Sequence, residues 1–175
     1  VLLRIIRNSD KLDRFHSIIA RIFPGLIISA DYDEGRHHYI NIMVNVNGSS
    51  VPLEMIGTGC LQAIQIVAYT TMYNPAILLL DEPDSHLHPS NQRLLIETLI
   101  EISTTTDTKI VISTHSRHIF DALASNDECD IVWLKNGEKQ PIESASDLSI
   151  LLDLGALDSF ERITSPKNKA IVLTE

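Results

Sequence analysis

Apolar residues Leu12, Phe15, Ile18, Ile19 and Ile22 recur at helical spacing after Asn8-Ser9-Asp10, and the pattern stops at Pro24-Gly25. That predicts an amphipathic helix with cap residues at its start and a breaker at its end. Leu26 to Ala30 and Tyr39 to Val46 read as strands, the second closed by Asn47-Gly48, and together they predict a small antiparallel pair near the N-terminal end. From Cys60 to Met72 the apolar positions come almost without a polar face, as in a helix buried between layers. Ala76 to Leu80 is a continuous apolar run of the kind that parallel strands carry. A helix over about Ser90 to Ser103, a strand at Lys109 to Ser113, a helix from Arg117 to Leu123 and a strand at Ile131 to Leu134 follow. Strand, helix, strand, helix, strand predicts an α/β fold with a parallel sheet and crossover helices. After Asn136-Gly137 the pattern predicts a helix at Asp147 to Leu154 and a last strand beginning at Ala170.

Bulk composition narrows the setting. The 175 residues are 44% hydrophobic and 21% charged, as in one ordinary soluble domain. With 14 basic and 23 acidic residues the net charge is −9, so the surface as a whole repels nucleic acid and acidic membranes. Any DNA contact is then local, or made by regions outside these residues. No run approaches the ~18 apolar residues of a membrane helix, and Val1-Leu2-Leu3-Arg4 lacks a signal peptide's layout. A cytoplasmic setting is expected. Cys60 and Cys129 lie far apart with no second ligand at metal spacing, which reads as two reduced thiols. The absent initiator Met and the apolar run Ala170-Ile171-Val172-Leu173 before Glu175 predict a part of a longer protein.

The strongest chemical signal is Ile77-Leu78-Leu79-Leu80-Asp81-Glu82-Pro83, an apolar strand ending in two adjacent carboxylates. Open α/β sheets place ligand sites at that edge, and paired acids there want a cation. In nucleoside-triphosphate chemistry the first acid holds Mg²⁺ and the second orients and deprotonates the attacking water. That assigns Asp81 to the metal and Glu82 to the base. The next strand ends in Ser113-Thr114-His115-Ser116, so an imidazole is expected at the same edge one strand over, where neighbouring strands lie ~4.8 Å apart. His115 could there bond a γ-phosphate and sense its loss. Upstream, Gly57-Thr58-Gly59 puts a glycine-flanked hydroxyl at the start of the buried helix, where free N–H groups and the helix dipole seat an anion. His86 and His88 stand two apart in a turn, and a zinc site would need further ligands.

These elements in this order resemble the ABC-type ATPases, with a signature loop at Gly57-Thr58-Gly59, a Walker B strand at Ile77 to Glu82 and a switch histidine at His115. Pro83-Asp84-Ser85-His86-Leu87-His88-Pro89 looks like the non-transporter branch of RecF- and SMC-like AAA ATPases, and in particular like the OLD (overcoming lysogenization defect) family. His88 stands where transporters close this loop with Asp. Leu151-Leu152-Asp153-Leu154-Gly155-Ala156-Leu157 and then Ala170 to Glu175 resemble that family's passage into a Toprim nuclease domain, whose first strand ends in a metal-binding glutamate, here Glu175. The resemblance implies two parts, the carboxyl-terminal half of an ATPase over 1–164 and the start of a Toprim domain over 165–175. It implies ATP and Mg²⁺ as cofactors, a second ATPase subunit as partner, and a DNA-directed nuclease gated by ATP in anti-phage defence, with a defence-system protein as a further partner. A DNA-repair ATPase of RecF type without a nuclease, and a nucleotide-gated interaction module, are the alternatives.

Two departures bear on that resemblance. The usual signature has Ser where Gly57 stands, so Thr58 has to supply the hydroxyl. None of the seven glycines begins Gly-x-x-x-x-Gly-Lys-Ser/Thr, so the phosphate-cradling loop and its lysine are not in this sequence. Family layout puts that loop before Val1, together with a Mg²⁺-contacting glutamine, and no Gln precedes Gln62.

Overall fold

The computed structural model describes residues 1–31, 41–124, 126, 129–135 and 137–140. They fall into two compact units, Val1–Thr114 and His115–Glu175.

In the first unit, helix α2 (Ser9–Ile22) is the organising element. Its start is fixed as the cap residues require: the Asn8 side chain accepts from the Lys11 N–H at 3.0 Å. Its end is fixed by Gly25, whose φ of +78° only glycine adopts at low cost. Phe15, Ile19 and Ile22 are fully buried along one face, which packs against α3 (Thr58–Tyr73), α4 (Pro89–Thr105) and β1 (Leu26–Asp31). Ala63, Ile64 and Val67 of α3 and Leu95, Ile96 and Leu99 of α4 complete this core. A short helix α1 (Leu2–Ile6), which carries no capping side chain, adds buried Ile5. Lys11 places its ammonium 2.7 Å from the Met72 carbonyl in the last turn of α3, where a cation meets the negative end of the helix dipole.

The small antiparallel sheet has three strands rather than two: β1, β2 (Asn41–Val46) and β3 (Ser49–Pro52), in that order. Asn47 (φ 50°) and Gly48 (φ 85°) form the two-residue connection between β2 and β3, the backbone twist that favours Asn-Gly. The expected strand from Tyr39 therefore begins, among the described residues, at Asn41.

The second sheet is the parallel pair β4 (Ile77–Asp81) and β5 (Lys109–Ser113), joined through α4. Its two faces differ. Leu78 is buried and Leu80, Ile110 and Ile112 are half-buried, whereas Ile77, Leu79 and Val111 are 62%, 73% and 58% exposed. Parallel sheets are ordinarily covered on both faces, so one apolar face of this sheet is left open by the described residues.

In the second unit, α5 (Arg117–Ala124) begins at Ser116, whose hydroxyl accepts from the Ile119 N–H at 3.4 Å. Arg117 and Asp121 form an exposed ion pair one turn apart. The strand expected at Ile131 to Leu134 as a third parallel member is instead β6 (Trp133–Lys135), paired antiparallel with β7 (Glu138–Gln140). Gly137 (φ 80°) lies in the two-residue connection, so a local hairpin claims this strand. The expected helix at 147–154 and strand at 170–173 lie outside the described residues.

One half-buried titratable group, His16, links two elements of the first unit. The His16 Nε2 accepts from the Ile28 N–H at 3.0 Å, tying α2 to β1, and protonation would remove the lone pair that does so. Burial lowers the His16 pKa from 6.5, against the pull of the Asp13 carboxylate. A histidine held neutral by folding contributes stability that is complete above about 6.5 and is lost as pH falls through its folded pKa. Urea midpoints should thus drop between pH 8 and pH 5. His16→Gln, which keeps an acceptor that does not titrate, should flatten that drop, and His16→Phe, which strands the Ile28 N–H, should lower stability at both pH values by about 1–3 kcal/mol.

Candidate functional site

The register of the parallel pair sets Asp81 opposite Ser113 at the carboxyl end of both strands. The Ser113 hydroxyl donates to an Asp81 carboxylate oxygen across the strands, and both residues are exposed. A carboxylate and a hydroxyl side by side are hard oxygen ligands of the type Mg²⁺ selects. Among the described residues no group of three or more His, Cys, Asp or Glu side chains could hold a metal ion. A carboxylate and a hydroxyl alone would suit an ion that takes the rest of its shell from other oxygens, phosphate or water. The sequence pattern does not single out Ser113 as the partner of Asp81. The available signal is that the strand that ends in Ser113 aligns with the strand that ends in Asp81.

Glu82 follows with φ of 43°, in the left-handed region that a residue with a Cβ enters at a cost of roughly 1–2 kcal/mol. Its backbone is held from several sides. The Glu82 N–H donates to the Ser113 carbonyl at 2.9 Å, one bond beyond the ladder, and the Glu82 carbonyl accepts from the Ser85 N–H at 3.1 Å. Gln62 on α3 extends its amide to the same carbonyl at 3.4 Å. The Ser85 hydroxyl lies 3.5 Å from Oε2 of the exposed Glu82 carboxylate. Strain of this kind concentrates where a side chain must be aimed.

The loop behind Glu82 is tightly knit. The Thr114 hydroxyl donates to the Asp84 carboxylate at 2.9 Å, the Leu87 N–H to the Asp84 carbonyl at 3.0 Å, and the Gln92 amide to the Leu87 carbonyl at 2.9 Å. His88 has a local role: its Nδ1 accepts from the Ser90 N–H at 3.3 Å and caps α4, whose first residue is Pro89.

At the start of α3, Gly57 is the cap residue and Thr58 the first helical one; both are exposed and no side chain caps the helix. Gly59 has a different task. A Cβ there would lie 2.5 Å from the His86 carbonyl oxygen, 2.7 Å from its carbon and 3.0 Å from a Leu87 methyl. The glycine is thus required for α3 to reach the loop after Glu82, a purely steric reason the sequence did not reveal. Burial pushes the neighbouring Cys60 thiol up, away from thiolate chemistry. The structure thus gathers Gly57, Thr58, Gly59, Asp81 and Glu82 within the first unit. His115 is exposed and opens the second unit, and Glu175 lies outside the described residues.

Comparison with known proteins bears on the family and the fold. Residues 5–120 match the AAA ATPase domain family. No curated protein matches the chain. Among solved structures, one described as "Structural biochemistry of ATP-driven dimerization and DNA stimulated activation of SMC ATPases" aligns with a TM-score of 0.61 at 16% identity, covering 91% of this chain and 94% of that one. The SMC head domain from Thermotoga maritima aligns with a TM-score of 0.51 at 23% identity, covering 80% of this chain and 50% of that one. An Smc head with an extended coiled coil from Pyrococcus furiosus, bound to the C-terminal domain of ScpA, aligns with a TM-score of 0.55 at 17% identity over 89% of this chain and 38% of that one. The chain thus spans nearly all of the first structure and half or less of the other two. The shared feature is the fold.

Two substitutions test the local account. Gly59→Ala should cost about 1–3 kcal/mol in urea unfolding, because the new methyl meets backbone rather than a movable side chain. Glu82→Gly should be more stable than Glu82→Ala by about 1 kcal/mol, since only glycine relieves the left-handed backbone.

Proposed function

The chain belongs to the AAA ATPase domain family, matched over residues 5–120, and from that premise we propose that it supplies the hydrolytic and dimer-facing half of an ABC-type ATPase site. The arrangement of Asp81, Ser113 and Glu82 at one sheet edge is the observation that carries this reading.

In this reading Asp81 and Ser113 would hold the Mg²⁺ of a bound MgATP, and the ion would supply positive charge against the phosphates. Glu82 orients a water against the γ-phosphate and accepts its proton. His115, two residues past Ser113 in the chain, contacts the γ-phosphate and senses its release. The phosphate-cradling loop comes from sequence outside these residues, on a segment that covers the open face formed by Ile77, Leu79 and Val111. Residues 57–59, exposed at the uncapped start of α3, seat the nucleotide of a second subunit, so ATP draws two subunits together and hydrolysis releases them. Dimerisation driven by ATP is what the SMC structure's description states of SMC ATPases.

The finer reading is that this cycle gates a DNA-directed nuclease of OLD type in anti-phage defence. Its support is the sequence of 151–157 and of 170–175, with Glu175 as the first metal ligand of a Toprim domain. A RecF-type repair ATPase is the second reading, favoured by the likeness to SMC heads. Reading the coding sequence past Glu175 separates them, since a Toprim domain requires a further acidic pair.

In a protein that carries the whole ATPase, Glu82→Gln should lower phosphate release by about 10²–10⁴-fold while ATP still binds and still drives dimerisation. Turnover at the wild-type rate would sink the assignment. The 175-residue chain alone should bind no MgATP tightly and release no phosphate.

A further inference from the structure

Glu82 adopts a backbone conformation that its own residue type disfavours. Two of the groups that hold it there are near in space by necessity: Ser113 on the neighbouring strand and Ser85 in the following turn. The third is not. The Gln62 amide reaches the Glu82 carbonyl from α3, a separation of 20 residues in sequence. Gly59, three residues earlier and therefore on the same helix face, abuts the His86 backbone with no room for a side chain. One face of the first turns of α3 thus touches both ends of the turn that runs from Glu82 to His86.

We propose that Gln62 is a positioning residue which, with Gly59, couples the amino end of α3 to the aim of the Glu82 carboxylate. The proposal rests on the reading of Glu82 as the base and of 57–59 as the seat of the second subunit's nucleotide. A phosphate bound at the start of α3 pulls on a helix that is rigid over its first turns, and Gln62 transmits that pull to the Glu82 carbonyl. The 3.4 Å separation leaves room for the bond to shorten. Because the φ of Glu82 is held by its neighbours and not by its own preference, small displacements of its carbonyl swing the carboxylate. Each subunit's hydrolytic site then fires only when its own α3 is engaged by the nucleotide across the interface, and ATP turnover is cooperative in ATP.

The test uses a protein carrying the whole ATPase and follows phosphate release against ATP concentration. Gln62→Met keeps the side chain's length without the donor, and Gln62→Lys restores a donor. Gln62→Met is expected to lower kcat about tenfold, to turn a sigmoidal ATP dependence hyperbolic, and to leave ATP affinity and the thermal midpoint unchanged. Gln62→Lys is expected to recover most of the loss. A Gln62→Met protein with wild-type kcat and a sigmoidal curve overturns the proposal. So does a loss of kcat that tracks a lowered thermal midpoint and is not recovered by Gln62→Lys, because that is a merely structural role. Glu82→Gln, measured in parallel, separates the two levels: if it retains turnover the reading of the site has failed, and if it abolishes turnover while Gln62→Met is silent only the coupling has.

Discussion

The parallel register of β4 on β5 is the constraint from which the site follows. Pairing Leu79 with Val111 obliges Asp81 to face Ser113, and the ladder's next donor, the Glu82 N–H, to reach back to the Ser113 carbonyl. With that N–H committed, and the Glu82 carbonyl turned toward Ser85, the residue is forced into a positive φ. A slip of one residue would reverse every side chain between faces. It would carry Asp81 to the covered side of the sheet, where a desolvated carboxylate is costly. The apolar face holding Leu78 therefore keeps Asp81 and Ser113 together on the opposite face.

Packing around α2 supports that register at a distance. Phe15, Ile19 and Ile22 bury completely against α3 and α4, so the two helices that flank the loop after Glu82 are referenced to one another through a third. Arg21 and Glu101 add an ion pair between α2 and α4, both half exposed and hence worth little by themselves. Precision at the loop comes instead from hydrogen bonds to backbone, such as those from the Gln92 amide, and from the close approach at Gly59.

Much of this was legible in the sequence where a local rule acts alone. Asn8 and Pro24-Gly25 bound α2, the unbroken apolar positions of α3 foretold its burial, and the apolar run to Leu80 foretold strand β4, of which only one face is covered by the described residues. Lys109 to Ser113 was placed as found. What was missed depends on partners. Helix α1 has only five residues and no cap, so its apolar run carries no period to read. Strand β3, Ser49-Ser50-Val51-Pro52, has little strand character of its own and is ordered by pairing across the Asn47-Gly48 turn. Asn136-Gly137 reads as a turn, but the antiparallel pairing of β6 with β7 across it depends on both flanking segments. Of the site, the acids were plain from their position after an apolar strand. The reach of Gln62 and the steric need at Gly59 are hidden, because each is a relation between segments distant in sequence.

The open face of β4 and β5 has a consequence for how such a protein folds. Among the described residues each of these strands has only one neighbour, and Ile77, Leu79 and Val111 are exposed on one face. Short strand segments of that composition are templates for intermolecular pairing. While that face is uncovered, pairing with another chain competes with folding.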